Sequence, residues 1–118
     1  MNIPKNTFGK EEKLCSEKDI DNLYKLGISF LNFPMVFYYL SITEIEQTKV
    51  LVSVSKKKFK KAVDRNLIKR RLRESYRLHK TILKKKYHVG FVYVANEIVS
   101  CHEIEKAMIE GLKKINQE

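Results

Sequence analysis

The side chains that could perform acid–base catalysis are few and widely spaced. The three histidines are His79, His88 and His102. Cleavage of RNA by a protein without a metal ion commonly needs a paired general base and general acid, often two histidines. His79 lies on an apolar helical stripe, which favours a core or boundary position, while His88 opens a predicted strand and His102 a predicted helix. The sequence therefore predicts no catalytic residue.

Metal and thiol chemistry have equally weak support. A metal-dependent nuclease needs converging carboxylates, and the acids of this chain lie mainly in its peripheral segments. Cys101 precedes His102, but no second pair has metal-ligand spacing. We interpret Cys15 and Cys101 as reduced thiols of a cytoplasmic protein, with a disulfide or a thiol nucleophile as the alternative. No metal ion or cofactor is predicted on the protein.

Positive charge is concentrated in one third of the chain. Residues 56–86 contain 15 Lys or Arg against Asp64 and Glu74, which gives +13, while the whole chain carries +10. The rest of the chain is therefore at −3. A merely solvated surface would mix the two signs. The segregation favours a surface that binds a polyanion.

The apolar segments are too short or too interrupted for a membrane. The N-terminal residues lack the apolar core of a signal peptide. The longest apolar stretch, residues 28–42, contains Pro34 and several polar residues. We expect a soluble cytoplasmic protein without a membrane partner.

Periodicity predicts the elements that must position the charges. Ile20, Leu23 and Tyr24 share a helical spacing that begins at Ser16 or Glu17. A long helix follows the lysine loop, because its apolar residues recur every three or four positions: Ile68, Leu72, Tyr76, His79 and Leu83. Strands are predicted at 28–32, 35–42, 49–55 and 89–95, and a last helix at 101–115.

These elements indicate an α+β fold in the order α-β-β-β-α-β-α. The first three strands are expected to pair as an antiparallel meander, and the basic helix to cross over between parallel neighbours. Residues 1–15 are predicted to be a flexible arm, and residues 16–118 a single RNA-binding domain.

The basic segment carries a recognisable pattern. Residues 52–77 read VSVSKKKFKKAVDRNLIKRRLRESYR. This run resembles the signature of the bacterial ribonuclease P protein family at Lys56, Lys57, Arg65, Asn66, Ile68, Lys69, Arg70, Arg73 and Glu74. The chain departs from the pattern at Leu67, where the family has arginine. The resemblance extends over roughly residues 16–115.

This resemblance implies a fold and a role. The fold would be a four-stranded mixed sheet with packed helices and a left-handed crossover through the basic helix. The protein would be the non-catalytic subunit of ribonuclease P, monomeric alone and bound once to each catalytic RNA. That RNA, which requires Mg²⁺, would remove the 5′ leader of precursor tRNA.

The resemblance also assigns residues to two surfaces. The catalytic RNA would contact the basic loop and helix through Lys56, Lys57, Lys58, Lys60, Lys61, Arg65, Asn66, Lys69, Arg70, Arg73 and Arg77. The leader would lie in a cleft formed by Ile20, Tyr24, Val36, Tyr38 and Ser53.

Alternatives remain at each step. Asn66 is equally well explained by hydrogen bonding to its own helix terminus. Tyr24 and Tyr38 could pack in the core, as we expect for Phe30, Phe33, Phe37, Phe91 and Tyr93. A ribosomal or ribosome-assembly protein would share the basic field without needing an open aromatic cleft. A DNA-binding protein is less favoured, because the basic helix lacks a helix-turn-helix partner.

Overall fold

The computed structural model describes residues 12–117 of the chain. The elements are α1 (Glu17–Leu26), β1 (Ile28–Asn32), β2 (Met35–Ser41), β3 (Lys49–Val54), α2 (Ala62–His79), β4 (Tyr87–Tyr93) and α3 (Cys101–Asn116). A short 3₁₀ turn, Lys80–Ile82, extends α2. The α+β class and the predicted element order are confirmed.

The helix ends follow ordinary capping rules. Ser16 caps α1 by accepting a hydrogen bond from the Asp19 N–H, and Ser100 caps α3 through the Glu103 N–H. Asp64 lies in the first turn of α2 and Arg77 in the last, and the sign of each charge suits the helix dipole.

The sheet order is β1-β2-β4-β3. β1 pairs antiparallel with β2, β2 antiparallel with β4, and β3 parallel with β4. The predicted crossover between parallel neighbours through α2 is therefore confirmed. The predicted meander is wrong at its third strand, because β4 lies between β2 and β3. The left hand of the crossover stays a prediction.

Strand alternation divides the sheet into two unlike faces. One face lies beneath α2 and α3 and supplies the core, with Phe37 and Phe91 at its centre and Ile68, Leu72, Met108 and Leu112 from the helices. The expected core position of Phe33 is wrong, because the turn between β1 and β2 leaves its ring 64% exposed. The opposite face carries only α1, whose Leu23 is completely buried. Part of this second face is consequently left open.

The predicted arm is attached to the sheet earlier than expected. Residues 1–11 lie outside the described part of the chain. Within that part, Lys13 forms a parallel bridge with Val50, and the Leu14 N–H donates to the Val50 carbonyl at 2.9 Å. Leu14 is also buried, beside the edge of β3. The ordered domain thus begins before residue 16.

Candidate RNA interface

The lysine loop between β3 and α2 is held in place by its own residues. The Ser55 hydroxyl accepts hydrogen bonds from the backbone N–H groups of Lys57 and Lys58, at 3.2 and 3.4 Å. Phe59 is buried, and its ring lies 5.8 Å from that of Tyr93. Ser55 and Phe59 therefore anchor the loop. The exposed lysines of the loop are held in a restricted set of positions.

Arg65 secures the same loop from the first turns of α2. Its Nη1 donates to the Phe59 carbonyl at 2.7 Å and to the Lys60 carbonyl at 2.9 Å. These charge-assisted bonds satisfy two carbonyls that the turn leaves without a backbone donor. The structure therefore places the predicted RNA contact Arg65 in a positioning role, with one guanidinium nitrogen already engaged inside the protein.

Two other predicted RNA contacts also have partners within the protein. Lys58 Nζ donates to the Val94 carbonyl at 2.6 Å, which ties the loop to the end of β4. Arg77 forms an ion pair with Glu74, which lowers the pKa of the Glu74 carboxyl through a side-chain hydrogen bond and raises that of Arg77.

The remaining predicted cations have no hydrogen bond or ion pair with residues 12–117, and they are at least partly exposed. They are Lys56, Lys57, Lys60, Lys61, Lys69, Arg70 and Arg73. Asn66 is exposed among them. Since residues three or four apart share a helix flank, Lys69 and Arg73 continue the row that Arg65 begins. Loop and helix together form one basic surface, and the assignment of these residues to RNA contact stays a prediction.

The open half of the second sheet face is the other candidate surface. Val36, Val92 and Ser53 are register neighbours across β2, β4 and β3, so they form one row on this face. Tyr38 lies in the next row, opposite Gly90. The side chains of these residues, apart from Gly90, are all half-buried. At a strand spacing of about 4.8 Å, Val36 and Ser53 lie about 10 Å apart.

Helix α1 borders this open face. The Tyr24 and Tyr38 rings meet edge to face, with centroids 4.8 Å apart. Burial, with a further contribution from Tyr38, raises the pKa of Tyr24, so the Tyr24 phenol is neutral at physiological pH. Ile20 is half-buried one helical turn before Tyr24. The structure thus brings the predicted cleft residues to one face.

Sequence reasoning missed several residues of this face, among them Leu31, which is the register neighbour of Val36 and 62% exposed. Leu51 and Val92 are half-buried there, beside Gly90 and Ser53 respectively. The alternation of β4 indicates that His88, Gly90 and Val92 share a face, but only the strand order shows that this face meets Val36. Gly90 leaves room for Leu23, since a Cβ at residue 90 would lie 3.3 Å from Leu23 Cδ2.

Leu67 lies beside the basic surface, in a groove that it shares with Arg70. With Leu78 it lines this groove of about 490 Å³ between α2 and α3, which also includes Arg71, Cys101 and His102. The Arg71 Nη1 donates to the Val99 carbonyl at 2.8 Å at one end of this groove. The departure from the family pattern at Leu67 therefore replaces a cation with an apolar groove wall.

The histidines occupy separate environments. His79 pairs with Glu105 at 3.0 Å, His88 is buried beneath α1, and His102 is exposed on α3. Burial lowers the pKa of His88. Across residues 12–117, no three His, Cys, Asp or Glu side chains are grouped to hold a metal ion. Cys15 and Cys101 are free and exposed thiols. Among the described helices, none is long and apolar enough to cross a membrane.

Known proteins resemble the chain over nearly its whole length. The family model for ribonuclease P matches residues 8–116. The ribonuclease P protein component of Porphyromonas gingivalis strain W83 is 33% identical, over 92% of this chain and 88% of its own. That of Clostridioides difficile strain 630 is 31% identical, over 91% and 94%.

Solved structures agree with this result. The Staphylococcus aureus RNase P protein superposes with a TM-score of 0.75 at 29% identity, covering 88% of this chain and 94% of that one. The Thermotoga maritima RNase P protein, at 23% identity, shares the fold with a TM-score of 0.76. The family match, these relatives and the basic helix on a four-stranded sheet lead to one conclusion: the chain belongs to the ribonuclease P protein family.

Proposed function

We propose that the basic surface binds the catalytic RNA of ribonuclease P and that the open sheet face binds the 5′ leader of precursor tRNA. The observation that carries this proposal is the continuity of the two surfaces. Ser53, on the open face, is followed two residues later by Ser55, which orders the lysine loop. Lys56 follows Ser53 by three residues, so the two lie at most about 10 Å apart. A strand of RNA crossing the face therefore reaches the lysines within a few nucleotides.

The basic surface is suited to backbone recognition. Guanidinium and ammonium groups neutralise phosphates and release counterions without reading sequence. The loop is fixed before RNA arrives, because Ser55, Phe59 and Arg65 hold it. Less conformational freedom is then lost on binding.

The open sheet face is suited to single-stranded RNA of varied sequence. Tyr24 and Tyr38 offer aromatic surfaces to bases, and Val36 and Val92 offer apolar contact. Ser53 adds one hydroxyl group that can donate or accept. Mature tRNA lacks a leader and would gain nothing from this surface, so the protein would favour substrate over product.

The protein would act as a non-catalytic subunit in the cytoplasm. Magnesium ions bound by the RNA would supply the activated water and stabilise the leaving oxygen. The chain's own contributions would be to hold the leader, to offset phosphate repulsion between the two RNAs, and so to lower the magnesium concentration that cleavage needs. We expect one protein for each catalytic RNA.

Cleavage of precursor tRNA tests this proposal. The purified protein is mixed with a bacterial ribonuclease P RNA at low magnesium, and release of the 5′ leader is followed. We expect the mixture to cut at the mature 5′ end, while the protein alone is inert and the RNA alone is slow. Binding of leader-bearing and leaderless tRNA is compared in the same holoenzyme.

Two results would contradict the proposal in different ways. Tight RNA binding without stimulation of cleavage would argue against the subunit role and favour a ribosome-associated one. Stimulation with equal affinity for leader-bearing and leaderless tRNA would retain the subunit role but remove the leader from the sheet face. Tyr38→Ala removes an aromatic ring from the sheet face. Phe33→Ala is its control, because it removes an exposed aromatic ring elsewhere.

A further inference from the structure

The groove between α2 and α3 is lined by one flank of α2 and the first turn of α3. Four of its α2 residues recur at steps of three or four and so share one side of that helix: Leu67, Arg71, Ser75 and Leu78. Cys101 and His102 lie on the α3 side. The volume of about 490 Å³ falls within the range of roughly 300–1,000 Å³ that is usual for small-molecule sites. The groove is therefore large enough for a small ligand.

Ser75 brings a hydroxyl group without a partner to this groove. The residue is only 6% exposed, and its side chain forms no hydrogen bond with any residue from 12 to 117. Buried polar side chains nearly always have such a partner. Since Ser75 lines the groove, a ligand bound there can supply it.

The charged side chains of the groove favour an anionic ligand. The two carboxylates, Glu74 and Glu105, each have a basic partner that does not line the groove. The Arg71 guanidinium donates to a backbone carbonyl. Arg70 forms neither a hydrogen bond nor an ion pair within the described residues 12–117. Its guanidinium group is therefore available to a carboxylate, which it matches in geometry.

Cys101 adds a nucleophile to the same groove. It is the first residue of α3, and its thiol is free and exposed. Accessible thiols attack the sulfur atoms of disulfides. The imidazole of His102, the next residue along the chain, is exposed as well and can accept the thiol proton. A thiol, a guanidinium group and an unpaired hydroxyl thus line one groove that also has apolar walls.

We propose that this groove is a site of thiol–disulfide exchange for a small disulfide that carries a carboxylate and an apolar group. The Cys101 Sγ attacks one sulfur atom of the disulfide, and the bond between the two sulfur atoms breaks. A mixed disulfide forms at Cys101, the other half of the reagent leaves as a thiolate, and the thiol proton passes to His102 or to water. In the adduct, Arg70 and the Ser75 hydroxyl donate to the carboxylate, while the leucines cover the apolar group.

Rates of exchange in the full chain test this inference. Cys101 is studied alone in Cys15→Ser, and Cys15 alone in Cys101→Ser. Cys15 is the internal control, because its thiol is also free and exposed but does not line the groove. The anionic probe is dithiobis(nitrobenzoate) and the neutral probe is dithiodipyridine. Dividing the rate with the anionic probe by the rate with the neutral one corrects for the intrinsic reactivity of each thiol. We expect this quotient to be about tenfold larger at Cys101 and to approach that of Cys15 at high salt.

Substitutions in the groove locate the effect. Arg70→Gln and Ser75→Ala should each lower the quotient at Cys101 about threefold, and circular dichroism shows whether the variants remain folded. Lys113→Gln is the matched control for the lost charge. Lys113 is exposed about 18 Å from Cys101 along α3, beyond the Debye length of about 8 Å, so its replacement should leave the quotient unchanged.

Equal quotients at the two cysteines would overturn the inference, because the groove would then show no preference for an anion. A preference that persists in both Arg70→Gln and Ser75→Ala would come from elsewhere and would overturn it too. Ribonuclease P RNA, added first, should slow exchange at Cys101 only, and this expectation rests on the proposed function. Exchange with the expected preference that the RNA does not slow would support the thiol site and contradict the assignment of Arg70 to RNA.

Discussion

The hydrogen bonds of Arg65 to the loop lead to a prediction about stability. Lysine at this position keeps the positive charge, but its side chain is shorter and its ammonium ends short of the Nη1 position that donates to both carbonyls, at 2.7 and 2.9 Å. A charge-assisted hydrogen bond contributes about 1.5–3 kcal/mol, and these lie partly exposed, towards the lower end. We expect Arg65→Lys to reduce the free energy of unfolding by about 1.5 kcal/mol. The melting temperature should fall by about 6 °C.

Arg73→Lys is the matched control. Arg73 lies two turns further along the same flank of α2 and has no hydrogen bond to residues 12–117. Its replacement also exchanges a guanidinium group for an ammonium group of the same charge. The free energy of unfolding should therefore change by less than about 0.5 kcal/mol. Urea denaturation followed by circular dichroism measures both variants.

Binding to ribonuclease P RNA should separate the two variants as well. Both retain their charge, so the slope of affinity against salt should match the unaltered protein. Because Arg65→Lys also releases the loop, its affinity should fall about tenfold further than that of Arg73→Lys, measured by fluorescence anisotropy. Equal melting temperatures, or equal RNA affinities, would refute the view that Arg65 acts by holding the loop.

Three further predictions concern the core, the open face and acid stability. Gly111→Ala should destabilise the protein by about 2 kcal/mol in urea titrations, because a methyl group would overlap the Phe37 ring. Gly90→Ala should reduce the free energy of unfolding by less than half as much. Equal losses in the two variants would contradict the role of the Phe37 contact. Tyr38→Ala should weaken holoenzyme binding of leader-bearing precursor tRNA by about 5- to 150-fold. Leaderless tRNA should bind unchanged, and a parallel loss there would argue against leader contact. Burial lowers the pKa of His88 in the folded protein. The contribution of the neutral side chain to stability is therefore fully present above the unfolded pKa of about 6.5. Stability should therefore fall as the pH decreases below that value, and His88→Gln should flatten the dependence between pH 7 and 5; an unchanged slope would assign it to other groups.

Local structure was predictable because its causes are local. The apolar spacing of Ile68, Leu72 and Tyr76 depends only on the helical period, and α2 follows it. The same holds for the alternation of Val50, Val52 and Val54, whose side chains all belong to the core face of β3. Ser16 was a predicted helix start because a capping hydroxyl acts within three residues, and Ser100 caps α3 in the same way.

The pairing of strands was predicted only in part, because it depends on distant segments. The alternation of β3 identifies a strand with one buried face, but it carries no information about its neighbour. Residues 42–48 take the chain from β2 to the far edge of the sheet and leave a place for β4. The error affected the site, because the row formed by Val36, Val92 and Ser53 exists only in the observed strand order.

The number of charges and their positions along the chain could be read from the sequence. Which cations form hydrogen bonds within the protein could not. Lys58, Arg65 and Arg77 belong to the same basic run as their neighbours, yet each is hydrogen-bonded within the protein. Their partners are the carbonyls of Phe59 and Lys60 in the loop after β3, the Val94 carbonyl after β4, and the Glu74 carboxylate within α2. Removing any of the three should therefore alter the placement of other cations, while removing Lys69 or Arg73 removes only one charge. Substitutions of equal charge within a single basic surface thus have unequal consequences, and the internal hydrogen bonds determine which are larger.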